Sequence, residues 1–238
     1  MSLNAELNAV ADSFYSRGGP IVDTIRGSVV DLKSKFDPSS CSFHSSIIFP
    51  SQIKITILIY KPKESIIHVG DTLPSFDLTD AVGKPVSSAD LLAKGPILIT
   101  FYRGSWCPFC NLALKALQKH LDEFQAKGVS LVAISPELPD TALSTMEKNE
   151  LKFQVLSDVG HKYARQLGIV WQMPDNLRPV FEKLGHDLIT RNGDDSFEVP
   201  IPATLLVDGK GVVKKTYIEP EYTKRVEPDT VLEWINAL

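Results

Sequence analysis

The chain has 238 residues, 43% hydrophobic and 23% charged, with 14 Gly and 16 Pro; this globular composition excludes wholesale disorder and collagen-like repeats. A net charge of -4 with no basic run argues against a nucleic-acid or anionic-membrane binder. Three Cys cannot make the disulfide framework of a small secreted scaffold, and no apolar run approaches the ~20 residues that a membrane helix needs.

Met1 to Glu6 show neither a basic nor an apolar signal region, so the expected compartment is the cytoplasm. Paired thiols there are more often redox-active or metal-bound than structural. Leu3, Leu7, Val10 and Phe14 recur at helical spacing up to Gly18-Gly19-Pro20. Ile21, Ile25, Val29, Leu32 and Phe36 repeat the pattern up to Asp37-Pro38. The spacing predicts a helical leader over 1–38, a hairpin with apolar stripes to bury against the main body or a partner subunit. The stripes permit a homodimer.

Residues 39–67 differ in kind: Ser or Ile fills more than half the positions, and Ile53, Ile55, Ile57 and Ile59 alternate as in a strand. One reading is an edge strand or hairpin with a Ser-rich connection. The other is an insertion foreign to the fold.

The main domain is expected over 68–238. Ser75–Thr79 alternates like a strand, and Ser87 caps a short helix at 88–94. Pro96–Tyr102 is a near-continuous apolar run, the signature of a strand buried on both faces. Phe109, Leu112, Ala116, Leu117, Leu121 and Phe124 predict one helix that Gly128 stops. A buried strand at 129–135, a helix at 140–151, a strand at 153–156 and a helix at 160–167 follow. Residues 175–187 form a polar helix or a long loop. Strands at 204–207 and 212–218 meet at the turn Asp208-Gly209-Lys210-Gly211, and 229–237 closes the chain as a helix. Strands alternating with helices, then a hairpin and a helix, describe an α/β fold with a mixed sheet.

The chemistry concentrates at Phe101-Tyr102-Arg103-Gly104-Ser105-Trp106-Cys107-Pro108-Phe109-Cys110, a C-x-x-C where a buried strand meets an amphipathic helix. Cys107 falls at the helix N-cap or first turn, where unpaired N–H groups and the dipole stabilise an anion. Lowering a thiol from about 8.5 to about 6 takes roughly 3.4 kcal/mol. The dipole supplies at most about 2 kcal/mol of that, so direct contacts or a cation must add to it, and Arg103 is the nearest cation. Cys110, three residues on, shares the helical face of Cys107. Pro108 suits the first helical turn.

Two other uses of the pair stay open. Zinc wants four ligands, and only Cys41-x-x-His44 is available to complete a set with Cys107 and Cys110. The two thiols also suit an inert core. Val199-Pro200-Ile201-Pro202-Ala203-Thr204 precedes a strand; Pro202 there is either a cis proline facing the first helix turn or a plain trans proline at a strand start.

These residues resemble the peroxiredoxin-like branch of the alkyl hydroperoxide reductase/thiol-specific antioxidant family, within the thioredoxin-like superfamily. The resemblance runs from about Val69 to Leu238. It rests on Val69–Phe76, Phe101–Cys110, Leu156-Ser157-Asp158, Ile201–Asp208 and Glu219–Pro228. It implies a thioredoxin-like fold, with a central mixed sheet flanked by helices, and reduction of hydroperoxides without a bound cofactor. Cys107 would be the peroxidatic nucleophile and become a sulfenic acid. Cys110 would resolve it as a disulfide, and thioredoxin or glutaredoxin would reduce the pair again. Pro202 matches the superfamily's cis proline. Typical members place a Pro seven residues and a Thr or Ser three residues before the peroxidatic Cys, where this chain has Thr100 and Gly104. Ser105 and Thr100 are the hydroxyls that could replace the missing one. The departure bears on peroxidase chemistry, not on thiol–disulfide chemistry; Trp106-Cys107 is closer to thioredoxins and Cys107-Pro108-Phe109-Cys110 to glutaredoxins.

Arg103 is expected to stabilise the thiolate and peroxide, and Trp106 to wall the pocket with Ser105, Thr100 and Pro202. Arg225 and Tyr222 are read as capping or salt-bridging residues, with pocket membership as the alternative, His120 and His161 as structural, and the acids of 137–150 as solvated surface. The expected function is a thiol-dependent peroxidase. The alternatives are a thiol–disulfide oxidoreductase acting on protein or glutathione disulfides, and a non-catalytic redox-sensing or zinc-binding module.

Overall fold

The apolar runs become the middle of one sheet in the computed structural model, which describes residues 2–16, 18–35 and 66–238. Its strands are β1 (Asp77–Asp80), β2 (Pro85–Ser87), β3 (Ile97–Phe101), β4 (Ser130–Ser135), β5 (Gln154–Ser157), β8 (Ala203–Val207) and β9 (Val213–Ile218). They lie in the order β2-β1-β5-β4-β3-β8-β9. β3, β4 and β5 run parallel, and the remaining pairs are antiparallel, so the sheet is mixed.

Burial on both faces explains the continuous apolar runs. All of β3 is buried. Leu98 joins the core on one face, and Ile97, Ile99 and Phe101 join the core on the other. The first face is covered by α4 (Pro108–Lys119), α5 (Leu121–Ala126) and α10 (Pro228–Asn236) through Leu114, Leu117, Phe124, Val231 and Ile235. The second is covered by α3 (Ser88–Leu92) and α7 (Lys162–Gln166) through Leu91, Tyr163 and Ala164.

The hairpin expected at 1–38 appears as α1 (Leu3–Tyr15) and α2 (Pro20–Lys35). Its apolar stripe is spent on the chain's own body: Leu3, Leu7 and Ala11 are buried in the same core as α4. The Glu227 carboxylate caps the start of α1, accepting from the backbone N–H groups of Leu3 at 2.9 Å and Asn4 at 2.7 Å. The strand expected at 53–59, and Cys41 and His44 with it, lie outside the described residues.

Several elements differ from expectation. The single helix over 109–124 is two, because His120 leaves helical geometry at φ -103°, ψ 8°. The region 175–187 holds a short 3-10 turn and α8 (Arg178–Lys183). β6 (Val170–Gln172) and β7 (Glu198–Pro200) pair as a separate two-stranded sheet, and α6 (Pro139–Asn149) and α9 (Leu188–Asn192) complete the set. Strands of three residues are too short to carry a period. The Pro202 peptide is trans, which corrects the cis expectation. Among the described residues no helix is long and apolar enough to cross a membrane.

Candidate active site

β3 ends beside the C-terminal end of β4, and the loop 102–106 carries the chain from β3 into α4. Cys107 is the N-cap of α4 and Pro108 its first residue, as the spacing predicts. The Cys107 carbonyl accepts from the backbone N–H groups of Cys110 and Asn111, both at 3.1 Å. Cys110 thus sits one turn on, with its side chain turned inward; both thiols are buried and free.

Two buried arginines attend the pair. Arg103 Nη2 donates to Cys107 Sγ at 3.1 Å, and Arg225 Nη2 donates to Cys110 Sγ at 3.3 Å. The Arg103 guanidinium lies 4.3 Å from the Tyr222 ring and 5.0 Å from the Trp106 ring. Tyr222 in turn packs edge-on against Phe109. Arg225 and Tyr222 are therefore members of the site, which corrects their reading as capping residues.

The two thiols titrate as a pair. Burial opposes charge on Cys110, yet its thiol is held well below the usual range by a hydrogen bond from Cys107 and by Arg225 and Arg103. Burial and the bond to Cys110 push Cys107 up. Of the two sulfurs, Cys110 is the one whose surroundings favour the anion, and a guanidinium stands at each. The helix terminus alone is too weak to ionise a buried thiol, and Arg103 and Arg225 are the two cations in contact with the pair. Two guanidiniums at the sulfurs also make this a poor place for a divalent cation.

The loop is fixed from below by a residue read as solvated surface. Glu137, directly after β4, has no exposed side-chain area. Its carboxylate accepts from the Ser105 backbone N–H at 2.9 Å and the Ser105 hydroxyl at 2.8 Å. Arg191 on α9 stands 3.6 Å from the same carboxylate and donates to Ser105 Oγ at 2.9 Å. Asn111 Nδ2 holds the Ser105 carbonyl at 2.9 Å. The signal that could have found Glu137 is its place at the C-terminal end of a buried strand, where α/β folds put their ligands. Nothing in the sequence pattern marks Arg191 or Asn111.

Both candidate hydroxyls are engaged elsewhere. Ser105 serves Glu137 and Arg191. Thr100 is buried on β3 and shares a 3.2 Å hydrogen bond with Thr204 on β8. Gly104 has φ +145°, and a Cβ there would lie 2.5 Å from Trp106 Nε1 and 3.0 Å from Glu137 Oε1. The backbone at this position excludes the family's usual Thr or Ser.

A cavity of about 410 Å³ opens between the leader hairpin and this loop. Arg103, Trp106, Phe109 and Tyr222 form its floor, Phe14 and Ile25 its hairpin side. Trp106 walls it as expected, edge-on to Phe181 and tilted against His186. Thr100, Ser105, Pro202, Cys107 and Cys110 are not among its lining residues; Cys107 meets the lining through Arg103. His161 is buried away from it, and His120 pairs with Glu123 at 2.7 Å.

The chain is similar to known proteins over most of its length. The sequence profile of the AhpC/TSA family matches residues 69–216. Peroxiredoxin Bcp of Escherichia coli is 31% identical over 71% of this chain and 96% of its own length. Peroxiredoxin Q, chloroplastic, of Populus jackii is 28% identical over 73% of this chain and 81% of its own. Among solved structures, peroxidoxin BcpB of Mycobacterium tuberculosis superposes with a TM-score of 0.56 at 21% identity, covering 71% of this chain and 97% of that one. Mycobacterium tuberculosis AhpC gives 0.55 at 18% identity, covering 72% and 93%. The leader hairpin lies outside the matched residues. With a thioredoxin-like sheet, a thiol pair at the first turn of α4 and these relatives, the chain belongs to the AhpC/TSA family and is peroxiredoxin-like.

Proposed function

We propose that the chain reduces hydroperoxides with Cys107 as nucleophile and Cys110 as resolving thiol. The observation that carries this reading is the 3.1 Å contact between Arg103 and Cys107 at the N-cap of α4, with Arg103 also lining the cavity. The reaction needs the charge on Cys107, so a proton passes from Cys107 to Cys110 against the resting preference, and Arg103 and the helix terminus stabilise the anion so formed. The Cys107 sulfur attacks one peroxide oxygen and the O–O bond breaks. The products are the Cys107 sulfenic acid and an alkoxide or hydroxide, which takes a proton. Cys110 then displaces water from the sulfenic acid, giving the Cys107–Cys110 disulfide. A dithiol protein of the thioredoxin or glutaredoxin kind restores both thiols. A cytoplasmic setting, where such reductants work, belongs to the same proposal.

A second reading has its own support. The missing hydroxyl at Gly104 and the engagement of Ser105 and Thr100 leave no side-chain hydroxyl assigned to a peroxide. A thiol–disulfide oxidoreductase needs only the pair and the cations. The test is a side-by-side assay. Peroxide added to reduced protein should consume two thiols per chain rapidly; Cys107→Ser should abolish this, and Cys110→Ser should leave a trappable sulfenic acid. Oxidation at ordinary free-thiol rates, together with brisk reduction of a protein disulfide, would replace the first reading by the second.

A further inference from the structure

We propose that Arg225 is the arginine of the resolving step, holding the Cys110 sulfur as the anion that attacks oxidised Cys107. This rests on the reading of Cys107 as nucleophile and Cys110 as resolving thiol.

The two guanidiniums divide the pair between them. Arg103 comes from the loop after β3, lines the cavity and donates to Cys107. Arg225 comes from the segment between β9 and α10, is not among the cavity's lining residues, and donates to Cys110. Its other nitrogen is already fixed: Nη1 donates to the carbonyls of Tyr222 at 2.5 Å and Lys224 at 2.6 Å. Two carbonyls on Nη1 fix the plane of the guanidinium, and in that plane Nη2 is aimed at the Cys110 sulfur. The geometry is a preorganised donor at a buried reacting atom. Arg225 is itself 7% exposed, so the interaction is little screened by solvent.

The chemistry needs such a group at this stage. Once Cys107 is a sulfenic acid it no longer shares its proton with Cys110, and Cys110 must be anionic again to react. Its lone pair forms the S–S bond as the Cys107 S–O bond breaks; hydroxide leaves and takes a proton from solvent as water. The electrons balance within the pair, since the peroxide has already supplied the oxidising equivalent. The charged and titratable groups that face Cys110 are Cys107, Arg103, Arg225, Tyr102 and Glu137. Burial raises Tyr102, which keeps it neutral. Arg103 stays at Cys107, so Arg225 is the cation that contacts Cys110 directly.

The test uses the full chain. In a background carrying both Cys41→Ser and Cys107→Ser, ultraviolet thiolate absorbance titrates Cys110 alone. Arg225→Gln there should raise the midpoint by about one unit or more, roughly tenfold in the ionisation constant. Arg225→Lys, which keeps the charge without the fork, should restore part of the shift. With both cysteines present, single-turnover oxidation should show disulfide formation slowed roughly 10- to 100-fold relative to sulfenic acid formation in Arg225→Gln, the size expected for a lost hydrogen bond to a charged group. Its pH profile should move to higher pH.

An unchanged Cys110 midpoint in Arg225→Gln, or equal slowing of both steps, overturns the proposal. If Arg225→Gln does not unfold cooperatively, Arg225→Lys decides: folded Arg225→Lys protein that resolves slowly with an unshifted Cys110 midpoint also overturns it. Wild-type protein that does not consume thiols with peroxide fails the peroxidase reading instead. A shifted Cys110 midpoint then still supports Arg225, and release of a mixed disulfide on Cys107 replaces sulfenic acid resolution as the step measured.

Discussion

The hydroxyls of Tyr15 on the leader hairpin and Tyr222 beside the thiol pair share a 2.6 Å hydrogen bond, and the Tyr222 ring lies 4.3 Å from the Arg103 guanidinium. Arg103 in turn touches Cys107. The hairpin, which lies outside the residues matched to the family, is thus three contacts from the reactive sulfur. Tyr15→Phe removes one hydroxyl and leaves the buried Tyr222 oxygen without that partner. The expected cost is about 1 kcal/mol, a fall of roughly 2–4 °C in melting temperature for a chain of this size. Calorimetry checks it, and an unchanged melting temperature would show that the bond contributes nothing.

Gly104 permits a test of why the usual hydroxyl is absent. Gly104→Thr would install it, but the new Cβ meets Trp106 Nε1 at 2.5 Å and Glu137 Oε1 at 3.0 Å, on backbone at φ +145°. The substitution should destabilise the protein by about 2–3 kcal/mol through backbone strain and displacement of Trp106. Peroxide oxidation of Cys107 should slow rather than quicken. Denaturant unfolding and thiol-loss kinetics check the two halves; a stable variant with faster oxidation would show that the loop yields.

Arg103 is expected to matter for both rate and fold. Arg103→Lys keeps a charge but loses the planar group that faces the rings of Trp106 and Tyr222. Arg103→Met loses both. Cys107 oxidation should fall modestly in the first and roughly 10- to 100-fold in the second. Burial opposes a cation here, but the thiols beside it outweigh burial and hold Arg103 charged, so Arg103→Met removes one partner of a buried pair and should also lower the melting temperature. Equal rates in all three proteins would remove Arg103 from the mechanism.

The sheet and the pair were legible because each has a local signature. Pro96–Tyr102 is apolar at every step but Thr100, so burial on both faces follows from the residues themselves, and Cys107-Pro108-Phe109-Cys110 follows shortly after that run stops. The surroundings of the pair were not legible, because long-range folding assembles them. Glu137 looks like surface in an acidic stretch, and only the packing of α9 against the β3 loop buries it. Arg225 sits 115 residues from the sulfur it serves. Thr100 and Ser105 were sound candidates by position, but a hydroxyl's direction depends on neighbours contributed by β8, in Thr204, and by α9, in Arg191.

Glu137 yields a pH prediction with a definite sign. Burial raises its carboxyl above the ordinary value near 4.5, against the Ser105 bonds and the Arg191 charge that favour the anion. The folded protein therefore binds this proton more tightly than the unfolded chain does. Its contribution to stability is greatest at low pH and falls as the pH rises from the ordinary value through the raised one. Glu137→Gln cannot titrate and has one carbonyl oxygen for the two Ser105 donors, a cost of about 1–3 kcal/mol. The variant should be less stable at low pH, and the gap to wild type should narrow as the pH rises through that window. Urea unfolding of both proteins across the window measures it. A gap that widened with pH would mean that the Ser105 donors and Arg191 outweigh burial, and that the anion is the form the fold prefers.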